Sequence, residues 1–431
     1  MQSKKCSMNV LFRACVERNL VLFLSILFSL GSSVVLFAQD STRLTQQSFH
    51  GVEVIAYGDI TSNAVANAFI RSLYYNKYID NEAKEEVIAK AKLFNRLGGV
   101  SKVGLTYLYQ KEKNKPILSF SLFDRMNLNS KFSDDLFAVV FFGNKSYAGK
   151  TASVGPFNFN FLRYQQLSVG WKWDKDSTSH SYGFSISVLN GQKNLSIQSN
   201  KANLFTAEDG TYVDFDVSMQ ANNTDSLNKH FFANNGVGFS SDFFYKIPFK
   251  FFEKQSALFI EVEDLGFIRW NKKSVQLSSD SSYHYEGILV NDIFNLNNTS
   301  SSKNLYDVID KHTNSIQKSY STFLPGLIHL HTNYSWKSRI MVEKGISYRF
   351  NSTANLFLYA KIHFMLGKSK LTDIACNVGY GDYGNFRSGI DFKTGFIKHY
   401  VIQLSTQYIF SNLFLKAPAG MGIYLRLLRT F

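Results

Sequence analysis

Glu261 and Glu263 are two residues apart, a spacing that on a β-strand puts both carboxylates on one face, as acid and base chemistry at a sugar bond requires. Asp264 and Arg269 follow closely, which favours local ion pairing over a carboxylate pair poised for hydrolysis. His329 and His331 repeat the spacing, and His363 could approach them across a sheet, an arrangement in which imidazoles bind metals. No cysteine joins them and the spacing is loose, so they read as a wet, hydrogen-bonded patch and no metal ligand is assigned. A serine hydrolase of the nucleophile-elbow kind would need Gly-x-Ser-x-Gly between a strand and a helix, and nothing of that form stands in such a context. Gly379 to Gly384 is glycine-rich but lies between strands, so it reads as a hairpin turn rather than a phosphate cradle. These residues argue against an enzyme, and no catalytic or cofactor residue is assigned.

The elements that carry these side chains alternate apolar and polar residues with period two. Tyr400, Ile402, Leu404, Thr406, Tyr408 and Phe410 share one face while Gln403, Ser405 and Gln407 take the other. The pattern recurs at Val103–Tyr109, Leu118–Leu122, Leu167–Trp173, Tyr182–Val188, Val213–Met219, Leu258–Val262, Leu330–Tyr334, Ile346–Phe350, Leu356–Phe364 and Ile390–Phe396. Less regular runs, among them Phe132–Phe142, bring the expectation to about 14 strands, an even number as bacterial barrels usually have. A soluble sandwich would need a second sheet over its apolar face, whereas a barrel needs only lipid. Beyond the N-terminus no stretch sustains the roughly 18 apolar residues of a membrane-spanning helix. The expected fold is therefore all-β, a transmembrane antiparallel β-barrel. Its opposite parity would line the lumen with Lys172, Asp214, Asp216, Glu261, Glu263, Glu343, Arg349, Lys361, Asp391 and Lys393, either as ion pairs that fill it or as a selective polar conduit.

Lys4, Lys5, Arg13 and Arg18 precede an apolar run from Leu20 to Ala38, which reads as a cleaved signal peptide over 1–38. Cys6 and Cys15 would leave with it, so only Cys376 would remain and no internal disulfide could form. The formal charge of +14 would suit nucleic acid, but export makes anionic lipid and lipopolysaccharide the expected neighbours instead. Residues 39–98 are expected as an N-terminal segment with two short helices, capped by Ser62 and Asp80, and 99–431 as the barrel. The helices are too short to span lipid, so Ser62–Leu97 is expected to plug or cap one barrel end. The long Ser- and Asn-rich interruption from Ser278 to Pro325 suggests short helices at 290–295 and 305–310. Gly143, Gly149, Gly191 and Gly266 suit turns or bulges, and Trp270 suits an aromatic girdle.

Several blocks together resemble a family of outer-membrane barrels from Bacteroidota. They are Asn67-Ala-Phe-Ile-Arg-Ser-Leu73, Phe142-Gly-Asn-Lys-Ser-Tyr-Ala-Gly-Lys150, Val188-Leu-Asn-Gly191, Asp264-Leu-Gly-Phe-Ile-Arg-Trp-Asn271 and Gly384-Asn-Phe-Arg-Ser-Gly389. The resemblance implies a barrel over nearly all of the mature chain and brings no catalytic residues. In architecture alone the chain is similar to long-chain fatty-acid transporters and to the shuttle barrels of type IX secretion. Two function classes stand open: a porin-like or transporter-like barrel that passes or binds a small molecule, and a non-conducting scaffold that docks a protein partner. Both imply the bacterial outer membrane and contact with the barrel-assembly machinery, which reads the last strand, where Ile423, Leu425, Leu427 and Phe431 form an apolar face. Deleting Phe431 is expected to lower the assembled yield, read as less heat-modifiable protein in membranes; an unchanged yield removes that residue from the assembly signal.

Overall fold

The computed structural model describes residues 49–75, 78–112, 115–174, 179–225, 228, 230–286, 314–367, 371–395, 397–409 and 418–431. The expected signal peptide and the expected helices at 290–295 and 305–310 lie outside them. The described residues carry nineteen strands. In chain order these are β1 Phe49–Ala66, β2 Asn95–Gln110, β3 Ile117–Phe132, β4 Lys150–Ser153, β5 Phe157–Trp173, β6 Ser181–Thr206 and β7 Val213–Asn223. There follow β8 Gly236–Phe251, β9 Lys254–Trp270, β10 Val275–Tyr285, β11 Asn314–Gln317, β12 Ser321–Phe323, β13 Leu327–Lys337 and β14 Ile340–Arg349. The last five are β15 Phe357–Leu366, β16 Thr372–Tyr380, β17 Phe386–Thr394, β18 Tyr400–Thr406 and β19 Pro418–Thr430.

Fourteen of them close into an antiparallel barrel. The wall runs β1, β2, β3, β5, β6, β8, β9 and then β13 through β19, and β19 returns to β1 with Gly51 opposite Thr430 and Thr61 opposite Gly420. Closure leaves no unpaired wall edge, the condition for placing backbone polar groups in hydrocarbon. The wall also begins earlier than the sequence pattern suggests. β1, expected as part of a helical segment, is a full wall strand whose neighbours are the last strand and β2.

Along the wall strands the alternation lies as read, but Tyr408, read outward with Leu404, follows the end of β18 with its side chain buried and its hydroxyl donating to Asp59. Leu105, Ile186, Phe239 and Leu404 are 44% to 59% exposed, while their neighbours in sequence turn inward, Ser405 being buried opposite Asp391. At the end where β1 begins and β19 ends, the sequence between successive wall strands is short, about two to seven residues each. The other end carries everything else, which is the asymmetry of outer-membrane barrels.

At that loop end β6 keeps its pairing with β5 as far as Ser199 but exchanges its other neighbour, and its last residues run on beyond the wall. Its residues 181–191 pair with β8, whereas residues 195–206 pair with β7, and β7 pairs with β10. β4 joins the outer margin of β6, making a sheet that projects beyond the wall. Val213–Met219, read as a lipid-facing strand, belongs to this projection. Val217 is buried with Ala152, Val154 and Ala202, and Phe215 and Met219 pack beside them.

Three helices flank the same end: α1 Asn67–Tyr74, α2 Asn81–Lys90 and α3 Asp134–Phe142. Asp80 caps α2 as expected, its carboxylate accepting from Ala83 N at 2.7 Å. Ser62 lies inside β1 rather than at the start of α1; its hydroxyl donates to the Arg96 carbonyl at 2.6 Å and, in the manner of a cap, accepts from Val65 N at 3.0 Å. α3 replaces the irregular strand expected at Phe132–Phe142. Ser133 accepts from Leu136 N at 3.1 Å, and Asp134 and Asp135 stand in the first turn, where the helix dipole favours them. The apolar cluster Val65, Phe69, Ile70, Val87, Phe132 and Phe137 packs against Ile60, Leu97 and Met421. Those three share the outward parity of Leu105, by uninterrupted register through β2 and its partners. The helices thus pack their apolar stripes on the outer side of the rim, and the expected plug is not confirmed.

Leu404→Arg is expected to destabilise folding into vesicles by about 2–4 kcal/mol, and Ser405→Arg by clearly less. Reversible urea unfolding of the two variants gives the comparison, and a larger loss for Ser405→Arg would invert the facing of β18.

Candidate functional site: the barrel interior

The inward parity of β9, β13, β14, β15 and β16 brings titratable side chains into a hydrogen-bonded row. Register puts His329 opposite Glu261, Glu343 opposite Lys361, and Ala375 opposite both His363 and Asp391. His329 Nδ1 lies 3.0 Å from the Glu261 carboxylate and its Nε2 lies 2.9 Å from the Tyr359 hydroxyl. Tyr359 in turn donates to Glu343 at 2.8 Å. His363 stands 3.6 Å from Glu343 and 2.8 Å from Asp373. Lys361 pairs with Asp391 at 3.0 Å, and Glu53 of β1 pairs with Arg426 of β19.

Nearer the loop end the interior is crossed and filled. Arg125 of β3 reaches Asp264 of β9, with β5, β6 and β8 between them in the wall, and also donates to Gln166 at 2.9 Å. Asp264 sits at a bulge with φ +58°, where its backbone N–H donates to Asp242 at 2.8 Å. The bulge lets Glu261, Glu263 and Asp264 all face inward while Leu265 faces out. Across the lumen, Asp59 of β1 accepts from Tyr57 at 2.9 Å and from Tyr408 at 2.5 Å, and lies 3.6 Å from Arg387, which also pairs with Asp382 at 2.6 Å. An apolar cluster of Leu162, Tyr164, Leu189, Ile268, Trp270, Tyr320 and Leu324 fills the side between β5, β6 and β9. Trp270, expected at an aromatic girdle, is inside this cluster with its Nε1 donating to Thr322 at 3.0 Å. Gly191 is required there, since a Cβ would stand 2.6 Å from the Trp270 ring.

Two turns close the mouth. Thr353, in the turn after β14, binds Asn129 of β3 through its N–H at 2.9 Å and its hydroxyl at 2.6 Å. Tyr383, in the turn after β16, packs on Gly98 of β2, where no side chain would fit. Among the described residues, these turns and side chains fill the lumen near its loop end.

Of the expected lining residues, Lys172, Glu261, Glu263, Glu343, Arg349, Lys361, Asp391 and Lys393 stand on wall strands at inward parity. Lys172 is set apart near the other end, 3.2 Å from Asp174. Asp214 and Asp216 do not belong to the lumen. They lie on β7 in the projecting sheet, where Asp216 pairs with Lys201 and Asp214 with His284 at 2.5 Å. The bond from Lys201 lowers the Asp216 carboxyl, and the bond to Asp214 raises the His284 imidazole. Glu261 and Glu263 share a face as read, but His329 engages Glu261, so the two carboxylates form no isolated pair. Arg125, Asp59 and Arg387 were missed, and Asp264, expected to pair locally with Arg269, meets Arg125 instead while Arg269 bonds Ser319 and Ser321. Arg125 continues the polar parity of Ser119 and Ser121 along β3, a signal the sequence offers, whereas the bulge at Asp264 leaves none.

A closed fourteen-stranded barrel with an apolar exterior and a charged interior filled near its loop end is the class of protein this geometry defines. The chain belongs to the family described as "Family of unknown function (DUF5723)", whose pattern it matches over residues 51–403. No curated protein matches it in sequence. Among solved structures it is similar to the P. putida toluene transporter TodX, at 10% identity and TM-score 0.37, covering 90% of this chain and 89% of that one. A Pseudomonas aeruginosa FadL homologue aligns at 8% identity and TM-score 0.37, over 89% and 90% of the two chains.

The Arg125–Asp264 pair ties wall strands that are four places apart in the ring. Arg125→Ala is expected to cost about 3–5 kcal/mol because it strands a buried carboxylate, and Arg125→Met with Asp264→Leu to recover most of that loss. Urea unfolding of the folded barrel checks it; a single-variant loss below about 1 kcal/mol would mean the pair does not brace the lumen.

Proposed function

We propose that the protein is an outer-membrane barrel that takes up a small molecule in its interior and passes it, with the Arg125–Asp264 and Asp59–Arg387 contacts as the closed gate. The observation that carries this reading is the division of the interior. One half is lined by a hydrogen-bonded row of His, Glu, Tyr, Lys and Asp side chains. The other half is shut by ion pairs and hairpin turns, contacts that can rearrange without breaking the wall. A barrel whose only task was to persist in lipid would have no need of a half-filled, polar interior. The apolar exterior, the short turns at the end of the strand termini and the signal-like N-terminus support placement in the outer membrane, with the helices and the projecting sheet on the outer side and lipopolysaccharide beside them.

The projecting sheet supports the second reading, a scaffold that docks a protein partner, because its ordered strands extend the fold beyond what a channel needs. Planar-bilayer recording separates the two. The wild-type chain is expected to conduct weakly, and Arg125→Ala with Asp264→Ala to raise the current severalfold. A folded double variant that stays silent, together with a protein retained through mild detergent extraction, would favour the scaffold.

A further inference from the structure

We propose that Glu261, His329 and His331 form a binding site for a divalent first-row transition cation of the Zn²⁺ type inside the barrel. Ile328 and Leu330 are among the exposed outward residues, so His329 and His331 on the same strand face the lumen together. Glu261 stands opposite His329 on β9. One donor atom from each of the three lies within 4.8 Å of the other two. Donors about 2.0–2.2 Å from one tetrahedral cation lie about 3.4 Å apart, so side-chain torsions must draw the three together by up to about 1.4 Å on binding.

Three further observations favour a cation over a merely wet patch. His331 Nδ1 is buried without a hydrogen-bond partner, beside a carboxylate and a second imidazole, as His363 Nε2 and Asp373 Oδ1 are further along the row. The two imidazoles stack at 4.6 Å, and His331 lies flat against the Phe259 ring at 4.4 Å, so both rings are held in place before anything binds. Tyr359 holds His329 Nε2 and thereby leaves Nδ1 on the Glu261 side, the outer-shell support by which metal sites orient an imidazole. The charge around the site also suits a cation. Glu343 adds a second carboxylate nearby, while Lys361 is engaged by Asp391. Two imidazoles and a carboxylate match zinc, nickel, copper or iron rather than magnesium or calcium, which prefer oxygen alone. Three protein donors leave coordination positions open to the lumen, where water or a coordinating group of a passing solute would bind. The inference does not rest on passage, because the site exists in the closed barrel.

The test is calorimetric titration of the folded, detergent-solubilised full chain with Zn²⁺, with Co²⁺ absorption as a second readout. We expect one tight equivalent and a Co²⁺ spectrum of low coordination number. His331→Ala and Glu261→Gln should each abolish that equivalent, and Tyr359→Phe should weaken it by about 10-fold to 100-fold. His284→Ala, which removes an imidazole paired with Asp214 on the projecting sheet, should leave it unchanged. Glu261→Gln keeps the fold if His331→Ala does not, and heat-modifiable migration reports folding for both. Absence of a tight equivalent in the wild type, or its loss in His284→Ala with retention in Glu261→Gln, overturns the proposal.

Discussion

The structure depends on one constraint: backbone N–H and C=O groups that face hydrocarbon must be paired within the protein. The pairing of β19 with β1 satisfies it by removing the wall edge. Once the sheet is a ring, period-two alternation becomes a sorting device, sending Leu105, Ile186, Phe239 and Leu404 to lipid and every second residue into a narrow interior. Polar residues follow from exclusion, since the interior is the only place left for them within the wall.

A charged residue in that interior has little water, so it is held by a partner or by an opposite charge across the lumen. This explains why the inward residues appear as pairs and rows. Glu343 is shared by Tyr359 and His363, Lys361 is answered by Asp391, and Arg125 meets Asp264 over the three strands between them. The bulge at Asp264 and the inward turns at Thr353 and Tyr383 bring wall elements into contact that sequence order keeps apart.

Outside the membrane zone a different rule operates. α1, α2 and α3 bury apolar side chains against the outer rim and against the projecting sheet. The same sheet takes Val217, Phe215 and Met219 out of the lipid-facing set, although their alternation is indistinguishable from that of a wall strand. Alternation reports that one face of a strand is buried or lipid-covered, but it does not say by what.

Local chemistry was legible in the sequence wherever it depends on spacing alone. The barrel class, about 14 wall strands, the outward parity of most strands, the cap at Asp80 and the shared face of His329 and His331 follow from period and residue type. Tertiary structure decided whatever depends on which strands become neighbours. It set β1 in the wall, moved Asp214 and Asp216 to a sheet outside the lumen, took Trp270 from the expected girdle into the interior and joined Arg125 to Asp264 across 139 positions of chain. The physical reason is that a strand's period fixes which way its side chains point along its own axis, while their partners are set by ring closure, by bulges and by turns that fold inward, all of which are long-range.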